Sequence, residues 1–452
     1  MIRRTVTFLD ERTGTAPFLK RALRYVFPDH WSFLLGEVAL YSFIVLVATG
    51  IYLTFFFVPS TETVVYHGSY APLHGVEMSK AYESVVHLSF EVKAGLLIRQ
   101  THHWAADVFI AAIVLHLLRI FFTGAYRKPR ELTYYIGLGM LVLALLEGYL
   151  GYSLVDDLLS GMGLAIGYAV ALSLPFVGAN LALLVGNGEF PGAPDFWSRM
   201  YIAHVLLLPV AIGLMIGVHL FLVASRHHTQ FPGRGKTERK VLGTPTFPGQ
   251  TPKSLGLAFG TTSVLFLLGG LVQINPIWLW GPFEPYLSTN GAQPDWYLGW
   301  LIGGLRLMPN WEPSAFGYTF VPNPFWGGAA FPLVVFGILA LWPTIERRVT
   351  GDYGFHNLLD RPRDAPWRTA FGSALVTWVF LVFVAGSADR VNVTFGLSYE
   401  NQIYAYWVVV WLLPVLVFAL VYRACRGLRR KELVEADQRR AEIEARAART
   451  ST

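Results

Sequence analysis

The stretch GLLIRQTHHWAADVFIAAIVLHLLR, residues 95–119, sets two histidines, His102 and His116, inside an apolar run long enough to cross a bilayer. A second apolar run does the same with His204 and His219. Metal-ligating side chains are costly in hydrocarbon, so their presence there points to function. Two such pairs on two helices point to cofactors held between the helices, with haem as the first candidate.

Spacing discriminates among the histidines. An α-helix turns about 100° and rises about 1.5 Å per residue. His102 and His116, 14 positions apart, therefore lie about 40° apart in azimuth and about 21 Å apart along the axis. His103 falls nearly on the opposite face, so periodicity selects His102 over its neighbour. Fifteen positions separate His204 from His219, about 60° off on the other side. Pro209 stands between them and has no N–H to donate, so a kink or bulge there is expected to absorb the extra residue.

At 54% hydrophobic and 15% charged, the 452 residues lie outside the range of soluble domains. Apolar runs fall near 34–57, 95–122, 134–154, 200–224, 255–275, 326–343, 370–388 and 403–422. The stretch 163–185 is also apolar, but Gly163, Gly167, Pro175 and Gly178 break it. Charge decides between eight and nine spans. With eight, one side receives Arg3, Arg4, Lys20, Arg21 and Arg24, then Arg127, Lys128 and Arg130. The linker Arg226–Lys253, Arg347, Arg348, Arg361, Arg363 and the tail from Arg423 fall on that side too. The opposite side keeps only Lys80, Lys93, Arg199, Arg306 and Arg390. This asymmetry predicts an all-α polytopic membrane protein of eight transmembrane helices with both termini cytoplasmic. The net charge of +6 is then a product of membrane orientation, and no nucleic-acid partner is expected. Met1 to Asp29 is charged and amphipathic, unlike a secretory leader. The single Cys425 leaves no intrachain disulfide, cysteine-ligated cluster or C-x-x-C-H attachment, so any haem is non-covalent.

The expected organisation is a front four-helix bundle (1–225) holding two stacked b haems and a polar, Gly/Pro-rich linker (226–254). A back four-helix domain (255–425) and a charged tail (426–452) follow. Both histidine helices run from the outer side inward, which matches His102 with His204 near the outer face and His116 with His219 near the inner face. Arg99 and Arg119 each stand three residues from a histidine on the same face, where a guanidinium can pair with haem propionates. Gly36 and Gly50, like Gly137 and Gly151, repeat the 14-residue spacing. A flat macrocycle between helices needs a missing side chain where its face meets backbone. Taken singly, each histidine reads as a core residue on a carbonyl and each glycine as ordinary helix packing; the depth-matched pairs with flanking arginines outweigh that reading. His30, His67, His74, His87, His227, His228 and His356 lie in loops or at span edges, where a structural role is favoured.

These features together resemble the cytochrome b subunit of the quinol–cytochrome c oxidoreductases over residues 25 to 425. The matching motifs are Arg99-x-x-His102, His116-x-x-Arg119 followed by Gly124-Ala-Tyr126, the glycine pairs, Gly151-Tyr152-Ser-Leu, Arg199-x4-His204 and Pro294-Asp295-Trp296-Tyr297. The resemblance implies that His102 and His204 ligate a low-potential outer haem, and His116 and His219 a high-potential inner one. It also implies short surface helices over 163–185 and a quinol site near Pro294, Asp295, Trp296 and Tyr297. In that site Asp295 would accept a proton, Tyr297 and Tyr152 would bond quinol or a docked partner, and Gly163 would leave room near the ring. Asp156 and Asp157 read either as proton-exit groups or as solvated loop charges. For the inner quinone site, His227 and His228 are candidates, since Ala224 stands where the family's usual histidine would be expected.

The 15-residue spacing resembles the photosynthetic and Gram-positive branches, and the run 151–161 with Asp295 in place of glutamate resembles the actinobacterial type, although Val155 replaces a common proline. That type implies menaquinol, a Rieske iron–sulfur protein, a dihaem c-type cytochrome and membrane lipid. It also implies a second copy of the chain and a supercomplex with a terminal oxidase. Two other classes fit the histidines alone: a haem-free transporter or scaffold, and a dihaem membrane anchor of another oxidoreductase. The Pro-Asp-Trp-Tyr loop and the back four helices argue against the anchor.

Overall fold

In the computed structural model, eight helices among the described residues are long and apolar enough to cross a membrane. The structure describes residues 8, 10–14, 16–187, 190, 193, 195–289 and 293–450, so Arg3 and Arg4 of the charge argument lie outside the described residues. The spanning helices are α1 (Trp31–Thr54), α2 (Gly95–Thr123), α3 (Glu131–Ser153), α4 (Asp195–Arg226), α5 (Thr246–Leu271), α6 (Trp326–Thr350), α7 (Pro366–Ala385) and α8 (Tyr399–Ala445). The chain is a multi-pass membrane protein. Large apolar side chains such as Leu214, Phe221 and Leu412 stand exposed, as lipid-facing residues must.

Helices α1 and α2 pack together, α5 lies against both, and α4 packs on α3; α7 packs on α8. The front four helices enclose an apolar layer of Ala39, Phe109, Ile110, Leu141, Ala144 and Ile212. Phe109, Ile110, Ala144 and Ile212 fall near the midpoint between the histidines, or between the glycines, of their own helices, with Leu141 and Ala39 one turn nearer the level of His116 and His219. Phe43 meets Phe109 there at 5.6 Å between ring centroids. The layer separates an outer from an inner set of histidines.

The broken apolar stretch after α3 forms two short helices, Leu158–Leu172 and Gly178–Gly186, neither of spanning length. Asp157 caps the first, and a reciprocal bond with Ser160 completes a capping box. Helix α5 begins earlier than the apolar pattern suggests, because Thr251 and Pro252 open its regular part with a polar first turn. The linker before it is tied to the N-terminal segment, where Val26 and Phe27 pair antiparallel with Pro245 and Thr244. The charged tail continues α8 as one helix to Thr450 and is docked by Arg361 and Arg363 on Glu432.

Candidate functional site

Helices α2 and α4 bring His102 and His204 face to face, with ring centroids 6.3 Å apart and planes at 80°. An imidazole nitrogen binds a transition metal at about 2 Å, so this separation leaves room for one ion between the rings. Their outer nitrogens fix the tautomers. The Thr49 hydroxyl gives its proton to the Val45 carbonyl at 2.6 Å and meets His102 Nδ1 at 2.9 Å. Nδ1 must therefore donate, which leaves a lone pair on Nε2. His204 Nδ1 faces two acceptors, Glu147 Oε1 at 3.0 Å and the Glu147 carbonyl at 3.2 Å, with the same consequence.

At the inner level His219 lies close enough to His116 for the imidazoles to interact electrostatically. Both Nδ1 atoms are buried without a hydrogen-bond partner among the described residues.

Each of the four glycines faces one of the four histidines. A Cβ on Gly36 would stand 3.4 Å from His116, on Gly50 3.3 Å from His102, on Gly137 3.7 Å from His219 and on Gly151 2.5 Å from His204. The extra residue of α4 is absorbed in a π-helical turn, Ala203–Leu207, where the Leu208 N–H reaches back five residues to the Ala203 carbonyl. The turn carries His204 itself and ends just before Pro209.

The arginines are incompletely paired. Arg99 donates twice to the Asn275 carbonyl, at 3.2 and 2.5 Å, while its Nε is buried without a partner. Arg119 stacks over Phe33 at 4.1 Å, with Nε and one terminal nitrogen buried and unpaired. Buried guanidinium nitrogens call for acceptors, and the carboxylates of a haem are suited to that demand. The donor set, the glycine cradles and these orphaned nitrogens fit two haem groups.

His103, turned away from the histidine layer, holds Asp295: its Nε2 lies 2.7 Å from Asp295 Oδ1. The Tyr297 hydroxyl donates to Asp295 Oδ2 at 2.9 Å. Asp107, one turn past His103, brings a third ligand-type atom within 4.8 Å of the other two, and its Oδ1 has no partner. Burial would raise the Asp295 carboxyl, but the His103 imidazole and the bonds from His103 and Tyr297 hold it below its ordinary value. Burial and the Asp295 charge push the Tyr297 phenol well up. Gly148 makes space for that phenol, since a Cβ there would meet its oxygen at 2.5 Å. Tyr152 is buried, and a Cβ on Gly163 would stand 3.6 Å from its ring. Pro294 is partly buried, whereas Trp296 is exposed and meets Tyr297 edge-on at 6.0 Å.

Asp156 and Asp157 are not solvated loop charges. Asp157 is fully buried as a helix cap, and burial raises its carboxyl. Asp156 takes a left-handed backbone conformation and accepts from Ser79 Oγ at 2.5 Å; burial lifts its carboxyl to about 7. Val155 packs beside the buried cluster of Tyr66, Tyr82 and Ile277.

At the inner end His228 sits among Tyr25, Phe27 and Phe33, with ring centroids 5.8, 4.9 and 6.0 Å away. Burial, with Arg119 and Arg130 nearby, pushes its imidazole down to about 4. His30 packs tilted against Phe231, ring centroids 4.6 Å apart, and is also lowered, by burial and by Arg119. His227 stacks on Tyr25 at 5.4 Å.

Sequence reasoning passed over Thr49, His103 as a partner, Asp107 and Glu147. The available signal was a carboxylate inside each of two apolar runs, Asp107 four residues after His103 and Glu147 four before Gly151.

The family model described as Cytochrome b(N-terminal)/b6/petB matches residues 107–282, a stretch that includes His116, His204 and His219. The chain is 47% identical over 430 residues to the cytochrome bc1 complex cytochrome b subunit of Streptomyces coelicolor, covering 95% of this chain and 78% of that protein. The Mycobacterium leprae protein of the same name is 46% identical over 433 residues, covering 96% and 78%. That of Corynebacterium diphtheriae is 46% identical over 424 residues, covering 94% and 78%. A solved chain of a hyperthermophilic respiratory Complex III shares the fold at a TM-score of 0.66 and 20% identity, covering 92% of this chain and 99% of that one. Identity at this level over nearly the whole length decides the family: the chain belongs to the cytochrome b subunits of cytochrome bc1 complexes, membrane oxidoreductases of respiratory electron transport.

Proposed function

We propose that this chain oxidises quinol at the outer membrane face and reduces quinone at the cytoplasmic face, with one electron per quinol leaving to a Rieske protein. The observation that carries the reading is the layering of His102 with His204 and His116 with His219, each histidine against its own glycine. In this reading the outer pair holds one b haem and the inner pair another, and Arg99 and Arg119 receive their carboxylates. When bound, the two haems supply one-electron transfer between the faces.

The chain's own residues manage the protons. Asp295 stays ionised in a buried setting because His103 and Tyr297 bond to it, so it can accept a proton from quinol. Tyr152 and Gly163 wall the same region, with Pro294 and Trp296 fixing the loop. Asp156, lifted to about 7, is suited to exchange a proton near neutral pH on the way out. At the cytoplasmic end His228 and His30, beside Arg119, are the residues best placed to serve quinone reduction, with His227 at the rim.

The same reading gives menaquinol as substrate and a dihaem c-type cytochrome beside the Rieske protein. It adds a second copy of the chain, contact with a terminal oxidase, and a bacterial cytoplasmic membrane with both termini inside. It divides the chain into a haem domain (1–225), a linker (226–254), a quinol-loop domain (255–425) and a tail (426–452). A reduced-minus-oxidised spectrum of the purified protein, with a pyridine extract, tests it: two non-covalent b haems per chain are expected. His219→Leu should remove only the inner one. Absence of haem would favour the transporter or scaffold reading.

A further inference from the structure

Of the four histidines, His204 alone has a carboxylate behind it among the described residues. Glu147 Oε1 lies 3.0 Å from His204 Nδ1, and both side chains are largely buried. Glu147 stands one turn before Gly151, so a single face of α3 presents both the carboxylate and the glycine against which His204 packs. Among the described residues no lysine or arginine pairs with it, and its Oε2 is buried without a partner. A carboxylate in hydrocarbon needs a compensating contact, and the imidazole N–H supplies it.

The other three ligand candidates differ. His102 Nδ1 meets a neutral hydroxyl, that of Thr49. His116 and His219 have no hydrogen-bond partner at Nδ1 among the described residues, although the Thr133 backbone lies beside His219. A carboxylate on the far nitrogen of a ligating histidine raises the ligand's basicity. A more basic ligand, with a negative charge close behind it, favours the ferric over the ferrous state. We infer that Glu147 is a positioning and tuning residue that lowers the midpoint potential of the outer haem relative to the inner one, through its bond to His204. The inference rests on the haem-ligand reading above. Its consequence is directional: an electron reaching the outer site runs downhill to the inner one.

The test is a potentiometric titration of both haem bands in the purified complex carrying Glu147→Gln, which keeps the shape and removes the charge. The outer haem should become easier to reduce, with about a tenfold higher ferrous-to-ferric ratio at a fixed ambient potential, while the inner haem is unchanged. Glu147→Asp should restore most of the wild-type behaviour. A second variant works in the opposite sense. Thr133 stands four residues before Gly137, as Glu147 does before Gly151, and its backbone lies beside His219. Thr133→Glu should therefore make the inner haem harder to reduce. An unshifted outer haem in Glu147→Gln with both bands present would overturn the tuning role while leaving the ligand assignment standing. Loss of the outer band in that variant would reduce Glu147 to a structural support and overturn it as well. A wild-type complex without two b haems would bring down the ligand reading itself.

Discussion

His103 Nε2 lies 2.7 Å from Asp295 Oδ1, a bond that ties α2, one residue past His102, to a loop 192 positions further along the chain. The same bond turns a loop carboxylate into a fixed, ionised group at the depth of the outer histidines. A base must be deprotonated to work, so activity that depends on Asp295 is lost as pH falls through its pKa. Because that carboxyl is held below its ordinary value, the acid limb of quinol oxidation that this group sets should lie below the usual carboxylate range in the wild type. His103→Leu removes the offset and leaves burial, which raises the carboxyl. The acid limb of the pH–rate profile should then move upward with both haem bands intact. A limb that stays in place would separate His103 from proton handling.

Removing the carboxylate altogether is the companion experiment. Asp295→Ala should slow quinol oxidation about 100-fold or more, the scale of a lost general base, without altering either haem spectrum. Turnover within a factor of two of wild type would take Asp295 out of the mechanism.

What was legible beforehand follows from what is local. Run length and charge placement depend only on neighbours in sequence, so the eight spans, and the exclusion of 163–185 as a ninth, could be read directly. The 14-residue spacing of the glycines, read as room for a flat group, matched that of the histidines because both keep the same helical period. Contacts set by tertiary register were out of reach. Nothing along the chain announces that His103 meets Asp295, or that Glu147 meets His204 from another helix. Asp156 and Asp157 could be read either as proton-exit groups or as solvated loop charges, because their burial comes from packing of a segment that turns left-handed at Asp156. The bulge expected near Pro209 is the π turn at Ala203–Leu207, one step earlier, where it moves His204 itself.

That turn can be tested by length. Deleting Leu206, a lipid-exposed residue within it, should let the segment close as a regular α-helix with 14-residue spacing and retain both haem bands. Inserting one alanine after Gly213, beyond the turn, rotates His219 by about 100° relative to His204. The inner band should vanish in the insertion variant. Equal spectra in the two variants would mean the π turn does not set the register.

The glycine cradles differ in tightness, and the difference predicts unequal outcomes. Glycine to alanine inside a helix gains about 0.5–1 kcal/mol in backbone entropy when space permits. At Gly137 the nearest histidine atom would lie 3.7 Å from the new Cβ, an ordinary contact, so Gly137→Ala should keep the inner haem. At Gly151 the distance is 2.5 Å, and His204 is held from behind by Glu147, so it has little freedom to yield. Gly151→Ala should weaken or abolish the outer band. Indistinguishable haem contents for the two variants would show that the histidines move freely.

The segment that joins α6 to α7 offers a matched pair of arginines for stability. Arg368 has a side chain only 4% exposed and pairs with Glu346 at 2.7 Å and Asp360 at 2.9 Å; the Tyr126 hydroxyl also donates to Glu346. Arg361 makes a bond of the same length to Glu432, but both partners are 45% exposed. Water screens the second pair, and such bridges contribute below about 1 kcal/mol. Removing Arg368 instead leaves the largely buried Glu346 without its cation, while Asp360 keeps Arg127 at 3.0 Å; breaking such a buried pair costs about 3–5 kcal/mol. Thermal unfolding of the purified complex should therefore drop steeply for Arg368→Met and barely move for Arg361→Ala. Comparable shifts would mean that water reaches Arg368, and the adjoining ends of α6 and α7 would then be held by apolar packing such as the stacked Trp342 and Phe371, whose rings lie 4.5 Å apart.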